Sequence, residues 1–337
     1  MNYLRWPALA LALVSSAASA GHFTFQDWEV ACDNTRRCEA VGYQAEEAPA
    51  PVALLLARAA GATAPVTARL TPYLDDDSTI GPLTVQVGPT TVRGLRADVE
   101  LQPEQVARLL PLLLNAAAAT VSDGKHTWTL SLAGMKAALL KLDDVQGRVG
   151  TATALAMPGA RPAAAVRAPL PPPEVRPLPA VATRKGDEKL LPLIVKTLKH
   201  GGCDSPVDLV GGERYNELHR LSATQVLLVL ECGRGAYQSS FELWTASDRP
   251  PYAAKPVKLP DPTGANDGYL LNPSFEDGQL SSYAKGRGLG DCNSQAAWSW
   301  TASGFKLVEA SSGQLCRGFP GGVPLRDYTA TVLKPVK

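Results

Sequence analysis

The chain has 337 residues, with 33 Lys and Arg against 32 Asp and Glu for a formal charge of +1. That balance provides no general electrostatic pull toward nucleic acid or an anionic membrane. The length exceeds what one hydrophobic core commonly supports, so two domains are expected.

Residues 1–20 combine Arg5, an apolar stretch from Trp6, and Ala18-Ser19-Ala20 before Gly21. This pattern predicts a secretory signal peptide cleaved after Ala20. Ser15, Ser16 and Ser19 interrupt the run, which argues against a membrane anchor of about 20 apolar residues. Gly21 rather than cysteine follows the cleavage position, so no lipidated cysteine is expected. The predicted location is the periplasm or the outside of the cell. Farther on, even "LLPLLLNAAAATV" follows Arg108 and gives way to polar residues, so no later spanning run is expected.

Six cysteines, Cys32, Cys38, Cys203, Cys232, Cys292 and Cys316, form an even set that an oxidising compartment converts to disulfides. No pair is spaced C-x-x-C and the histidines His22, His126, His200 and His219 are scattered. Neither a metal site nor a cofactor is therefore expected.

Residues 21–157 read as an α+β domain. It opens on "FQDWEVACDNTRRCEAVGYQ", where alternation around "DNTR" predicts a hairpin clamped by Cys32 and Cys38. "PVALLLAR", "LTVQV", "TTVRGL" and "HTWTLSL" are further strands. "PEQVARLLPLLLNAA" predicts a helix with Pro103 and Glu104 in its first turn, Val106, Leu109, Leu110 and Leu113 at helical spacing, and a kink at Pro111. "GMKAALLKLDDVQG" predicts a second, with Met135, Leu139 and Leu142 on one face. After it, Asp143, Asp144, Gln146 and Arg148 form either a polar recognition edge or a helix end where Asp144 pairs with Arg148 and Gly147 stops the helix.

Residues 158–186 are Pro- and Ala-rich with almost no aromatic character. Such a composition buries little apolar surface, and the segment is expected to be a stiff, partly polyproline-II linker. Residues 187–337 then read as a mainly antiparallel β domain, sandwich or barrel-like, opened by the helix "LLPLIVKTLKHGG". Its strands include "NELHRL", "QVLLVLEC", "SSFELWT", "AKPVKL", "YLLNPSF", "QLSSYAK", "AAWSWT" and "FKLVEA". The linker separates the cysteines two and four, and the four permit three connectivities. The nearest-neighbour choice is Cys203 with Cys232 and Cys292 with Cys316.

The hydrolase elbow G-x-S-x-G, the H-E-x-x-H zinc motif, the P-loop and the EF-hand are all absent from the sequence. "LDDDST" and "DPTGANDG" are calcium loops only if further oxygens converge on them, and otherwise are solvated turns. Two stretches, "CGRGAYQ" from Cys232 and "AKGRGLGDC" up to Cys292, each set an arginine between glycines beside a cysteine. Glycine-rich turns make anion-binding nests, or they simply supply the φ needed ahead of a disulfide. The G-x-G-x-G spacing of Gly286, Gly288 and Gly290 fails the dinucleotide fingerprint. The candidate contact residues are Arg234, Tyr237, Lys285, Arg287 and Asp291.

"DWEVACDNTRRCEAVGY", "SLAGMKAALLKLDDVQGRVGTATAL" and "LSSYAKGRGLGDC" together resemble an exported proteobacterial domain family of unknown function. The resemblance spans the mature chain and implies no activity. The N-terminal half is more distantly similar to invasion-associated locus B proteins, which implies an extracytoplasmic interaction module. The expected function is a non-enzymatic envelope or secreted binding protein for an unknown protein, glycan or anionic ligand. Alternatives are a cell-envelope hydrolase using Asp291 or His219 for proton transfer, or an inhibitor of an envelope-active enzyme.

Overall fold

The computed structural model describes residues 21–76, 78–198, 215–262 and 269–335. The expected signal peptide, Asp77, His200, Cys203 and the end of "DPTGANDG" lie outside the described residues. The fold is mostly antiparallel β-sheet with few helices.

The first sheet is a five-stranded meander of β1 (Gly21–Phe25), β2 (Trp28–Cys32), β3 (Cys38–Tyr43), β4 (Val52–Arg58) and β5 (Val66–Pro72). Cys32 lies opposite Cys38 and is joined to it, clamping the hairpin as expected. A four-stranded sheet follows, from β6 (Leu83–Val87), β7 (Thr90–Leu95), β8 (Ala118–Ser122) and β9 (Thr127–Ser131), in the order β7-β6-β8-β9. Helix α1 (Pro103–Leu113) connects β7 to β8, and α2 (Met135–Val145) follows β9. The Gln102 N–H donates to Gln105 Oε1 at 2.9 Å at the start of α1, and the helix continues through Pro111. One core holds both sheets and both helices, with Trp28, Leu54, Leu83, Trp128, Leu109 and Leu139 among its buried residues.

The end of α2 differs from the expected Asp144–Arg148 pair. Asp144 takes Lys141, whereas Arg148, fully buried, donates to Gln146 Oε1 at 2.8 Å, to Thr153 Oγ1 at 3.0 Å and to the Gly61 carbonyl. The turn after β4 buries carbonyls with a lone pair to spare, Gly61 O taking the Ala64 N–H as well, and a buried guanidinium carries five donors for them.

Residues 158–186 run against both halves, and their order comes from backbone and arginine hydrogen bonds to neighbours rather than from a core of their own. Gly61 N–H donates to Arg167 O, Leu170 N–H to Thr35 O, and Leu178 N–H to Trp300 O, at 3.0, 3.2 and 2.8 Å. Strand β10 (Glu174–Val175) inside this segment pairs in parallel with a strand at the far end of the chain.

Helix α3 (Leu190–Val195) is followed by a five-stranded sheet of β11 (Glu217–Arg220), β12 (Gln225–Arg234), β13 (Ser239–Ser247), β14 (Lys255–Pro256) and β15 (Tyr269–Leu271). The last sheet is a meander of β16 (Ser274–Glu276), β17 (Gln279–Lys285), β18 (Asn293–Thr301), β19 (Gly304–Gly313) and β20 (Leu325–Thr329), after which β21 (Thr331–Val332) partners β10. Leu227, Val229 and Leu243 of one sheet pack with Leu280, Trp298 and Leu307 of the other. Val226, Leu228 and Leu230 point the opposite way, under Ile194 of α3. Burial on both faces explains why "VLLVL" is continuously apolar rather than alternating. "YLLNPSF" breaks into two strands of different sheets because Asn272 adopts φ +41° and Pro273 has no N–H for a ladder. Among the described residues no helix is long and apolar enough to cross a membrane.

Candidate functional site

The two glycine-arginine loops meet. β12 hands the chain from Cys232 through Arg234 to a turn closed by Gly235 N–H on Gln238 O at 2.8 Å. β17 ends at Lys285 and reaches Cys292 through a turn closed by Gly286 N–H on Cys292 O at 2.8 Å. Between the loops the Gln238 side chain accepts from Lys285 N–H at 2.9 Å and donates to Lys285 O at 3.2 Å. The Tyr237 ring rests on Gly288 so closely that a Cβ there would stand 2.9 Å from Cζ. Gly286 allows a similar approach, since its Cβ would lie 2.6 Å from Cys292 Sγ. These glycines therefore serve close contact with an aromatic ring and a disulfide.

Cys292 is bonded to Cys316, as the nearest-neighbour reading expected. Cys232 is also disulfide-bonded, while Cys203, its expected partner, lies outside the described residues. The Asp291 carboxylate and both sulfurs of the Cys292–Cys316 bridge lie within 4.8 Å of one another. Joined to each other, those sulfurs offer no thiolate to a metal.

Both arginines are held by buried carboxylates. Arg234 donates from Nε to Glu231 Oε1 at 2.8 Å and from Nη2 to Oε2 at 2.7 Å, and its guanidinium lies 4.2 Å from the Tyr215 ring centre. Hydrogen bonding from Arg234 outweighs burial and holds the Glu231 carboxyl at about 2. Arg287 donates from Nε to Asp291 Oδ1 at 2.7 Å and from Nη2 to Oδ2, which also accepts Gly318 N–H at 2.6 Å. Burial favours the neutral acid at Asp291, but the Arg287 and Gly318 hydrogen bonds prevail and lower its pKa. An incoming anion would have to compete with these internal partners. Tyr237, 69% exposed, is the most exposed of the large side chains that the junction offers outward, beside Leu289. Lys285 makes no ion pair among the described residues.

The proposed acid-base residues are not brought together. His219 pairs with Glu217 at 2.8 Å, lies tilted against the Phe275 ring at 5.1 Å and faces a cleft lined by residues 180–183, Asp277 and Gly278. Asp291 lies under Arg287 and lines none of that cleft.

A second polar cluster has no signature in the sequence. His22 Nε2 lies 2.8 Å from Glu29 Oε2, and its Nδ1 lies 3.1 Å from Ser312 Oγ and 3.4 Å from Asp327 Oδ1. A serine, histidine and acid suggest a nucleophile relay, but the protonation is wrong for one. Burial opposes charge on His22, yet hydrogen bonds to Asp327 and Glu29 outweigh it and raise its pKa to about 9. The imidazole is thus an imidazolium near neutral pH, and Ser312 Oγ donates to Asp327 Oδ2 at 2.6 Å. The cluster ties β1 and β2 to β19 and β20; no sequence motif reveals it, because Ser312 stands 290 positions from His22.

Beside the junction, the outward face of the last sheet carries a cleft of 530 Å³ lined by Tyr283, Gln295, Ser311, Glu309 and Arg326, and closed by Glu39 from the first sheet.

The fold and this surface define a disulfide-braced, mainly antiparallel β protein in which two glycine-arginine loops meet at an aromatic junction. The chain belongs to the family described as "Protein of unknown function (DUF1176)", which matches residues 22–332. It is similar to the Uncharacterized protein YpfG of Escherichia coli (strain K12), with 28% identity over 337 aligned positions that cover 90% of this chain and 91% of the other. No solved structure matches. Membership agrees with the family of unknown function expected from the sequence.

Proposed function

We propose that the protein is exported after cleavage behind Ala20 and acts in the periplasm or outside the cell as a non-enzymatic binding protein. In this reading an α+β domain (21–157) and a mainly β domain (187–337) are joined by the Pro-rich segment 158–186. The contact surface is the junction of the Cys232 and Cys292 loops. The carrying observation is Tyr237, exposed yet held against Gly288 beside the Gln238–Lys285 clasp. Rigid aromatic side chains on a preorganised platform supply large binding contributions at low entropic cost. Tyr237 and Lys285 make the contacts, while Arg234, Arg287 and Asp291 keep the two loops in shape. Disulfides at both ends of this surface favour an oxidising compartment. The distant likeness to invasion-associated locus B proteins is consistent with an extracytoplasmic interaction module.

N-terminal sequencing of the protein recovered from the periplasm or medium should begin at Gly21. Binding of labelled protein to envelope fractions under oxidising conditions should weaken about tenfold on Tyr237→Ala, equivalent to about 1.4 kcal/mol, with thermal stability unchanged. Turnover of glycan, peptide or phosphoester substrates that is lost on Tyr237→Ala or Asp291→Asn would replace this reading with the hydrolase.

A further inference from the structure

We propose that the cleft on the outward face of the last sheet, a second surface beside the loop junction, binds a neutral saccharide. The strand register places Tyr283, Gln295, Ser311 and Arg326 in one rung across β17, β18, β19 and β20. Ser281, Ala297 and Glu309 form the next rung, and residues two apart on a strand share a face. Small side chains at Ser281, Ala297 and Ser311 leave a depression between Tyr283 and Gln295 on one side and Glu309 on the other. Its 530 Å³ falls within the roughly 300–1,000 Å³ of small-ligand pockets.

The two ends of the face are closed by different parts of the chain. Val175 of the Pro-rich segment packs on Ala297 and Val308. At the other end the Tyr283 hydroxyl sits against Gly290, where a Cβ would be 2.8 Å away, so the glycine loop backs the ring. The ring offers a flat apolar surface to one face of a sugar. Gln295 uses Nε2 on Asn293 Oδ1 at 3.1 Å, which leaves its carbonyl oxygen to accept a hydroxyl. Ser281, Gln295 and Glu309 are exposed, and Glu309 makes no ion pair among the described residues.

Charge selects among ligands. Arg326 is the cation of the cleft, and its Nε is held at 2.7 Å by the fully buried Asp33 carboxylate. Glu39 accepts the Arg326 N–H at 3.0 Å and holds Arg37 at 3.1 Å. With the positive charge neutralised and Glu309 facing the opening, the cleft repels anions. What remains is a set of hydroxyl, amide and carboxylate groups beside one aromatic ring, matched to a ligand that carries many hydroxyls and no negative charge.

The test uses the disulfide-bonded full chain against a panel of neutral gluco-, manno- and N-acetylhexosamine oligosaccharides. Uronate-containing and de-N-acetylated oligosaccharides serve as anionic and cationic controls, with binding read by titration calorimetry. At least one neutral oligosaccharide should bind, and Gln295→Ala and Glu309→Ala should each weaken it about tenfold or more. Both positions are exposed, so unchanged melting temperatures will show that these variants fold. Absence of binding by every neutral oligosaccharide at millimolar concentration overturns the proposal, as does binding confined to the charged controls or unaffected by both variants. If Tyr237→Ala still weakens envelope binding in that event, the binding-protein reading stands without the saccharide site.

Discussion

Asp291 and His22 show how a buried charge is kept at the scale of single residues. Asp291 collects a guanidinium and a backbone N–H, so its carboxylate stays ionised although burial acts against it. His22 reverses the sign: two carboxylates hold a proton on an imidazole that burial alone would strip. Its folded pKa of about 9 lies above the ordinary 6.5, so the native state retains a proton that the unfolded chain releases. The stabilisation is complete below pH 6.5 and is lost as the pH rises through about 9, by at most about 3 kcal/mol. Urea midpoints measured across that window should fall, and His22→Gln should flatten the slope. A slope unchanged in the variant would place the alkaline sensitivity elsewhere. The sequence made Asp291 and Arg287 conspicuous through their spacing around glycines, but not that one neutralises the other. His22 carried no local signal, since its partners come from β2, β19 and β20.

Among the elements, those governed by short-range chemistry were legible. α1 and α2 follow helical apolar spacing, and the β2–β3 hairpin follows from alternation around a turn and two facing cysteines. Strands whose boundaries depend on long-range pairing were not: β5, β8 and the division of "YLLNPSF" between sheets required knowing which edge was free. The two described disulfides should differ in worth. Cys32–Cys38 spans 6 positions and Cys292–Cys316 spans 24. Chain entropy assigns about 2.4 kcal/mol to the short loop and about 3.5 kcal/mol to the long one. Double serine variants, compared by denaturant unfolding, should lose stability in that order. The Cys292→Ser/Cys316→Ser variant should also bind envelope fractions more weakly, because Gly286 then loses the sulfur against which its turn is built. Equal losses in the two variants would contradict the loop-entropy ordering.

For the whole molecule, the outer face of the first sheet is as important as its core face. β2 is buried at every position because Trp28, Val30 and Cys32 enter the main core, while Ala31 joins Val41, Tyr43 and Ala53 beneath Phe319 and Leu325. The Arg326–Asp33 and Arg317–Asp27 pairs, at 2.7 and 2.8 Å, border that contact. Leu325→Ala should cost about 2–5 kcal/mol, the range for emptying a packed leucine site, and should split one calorimetric transition into two. Retention of a single unshifted transition would show that the halves are held by other contacts. By itself the sequence determined helices α1, α2 and α3, most strands, the local Cys32–Cys38 clamp and the absence of a recognisable catalytic motif. These depend on periodicity, turn chemistry and spacing within a few residues. Only the tertiary structure decided that the glycine-arginine loops meet, that carboxylates occupy their arginines, and that the Pro-rich segment lies along both halves. Those outcomes depend on which distant backbone and side-chain groups are left needing partners once the sheets have formed, and no local pattern encodes that.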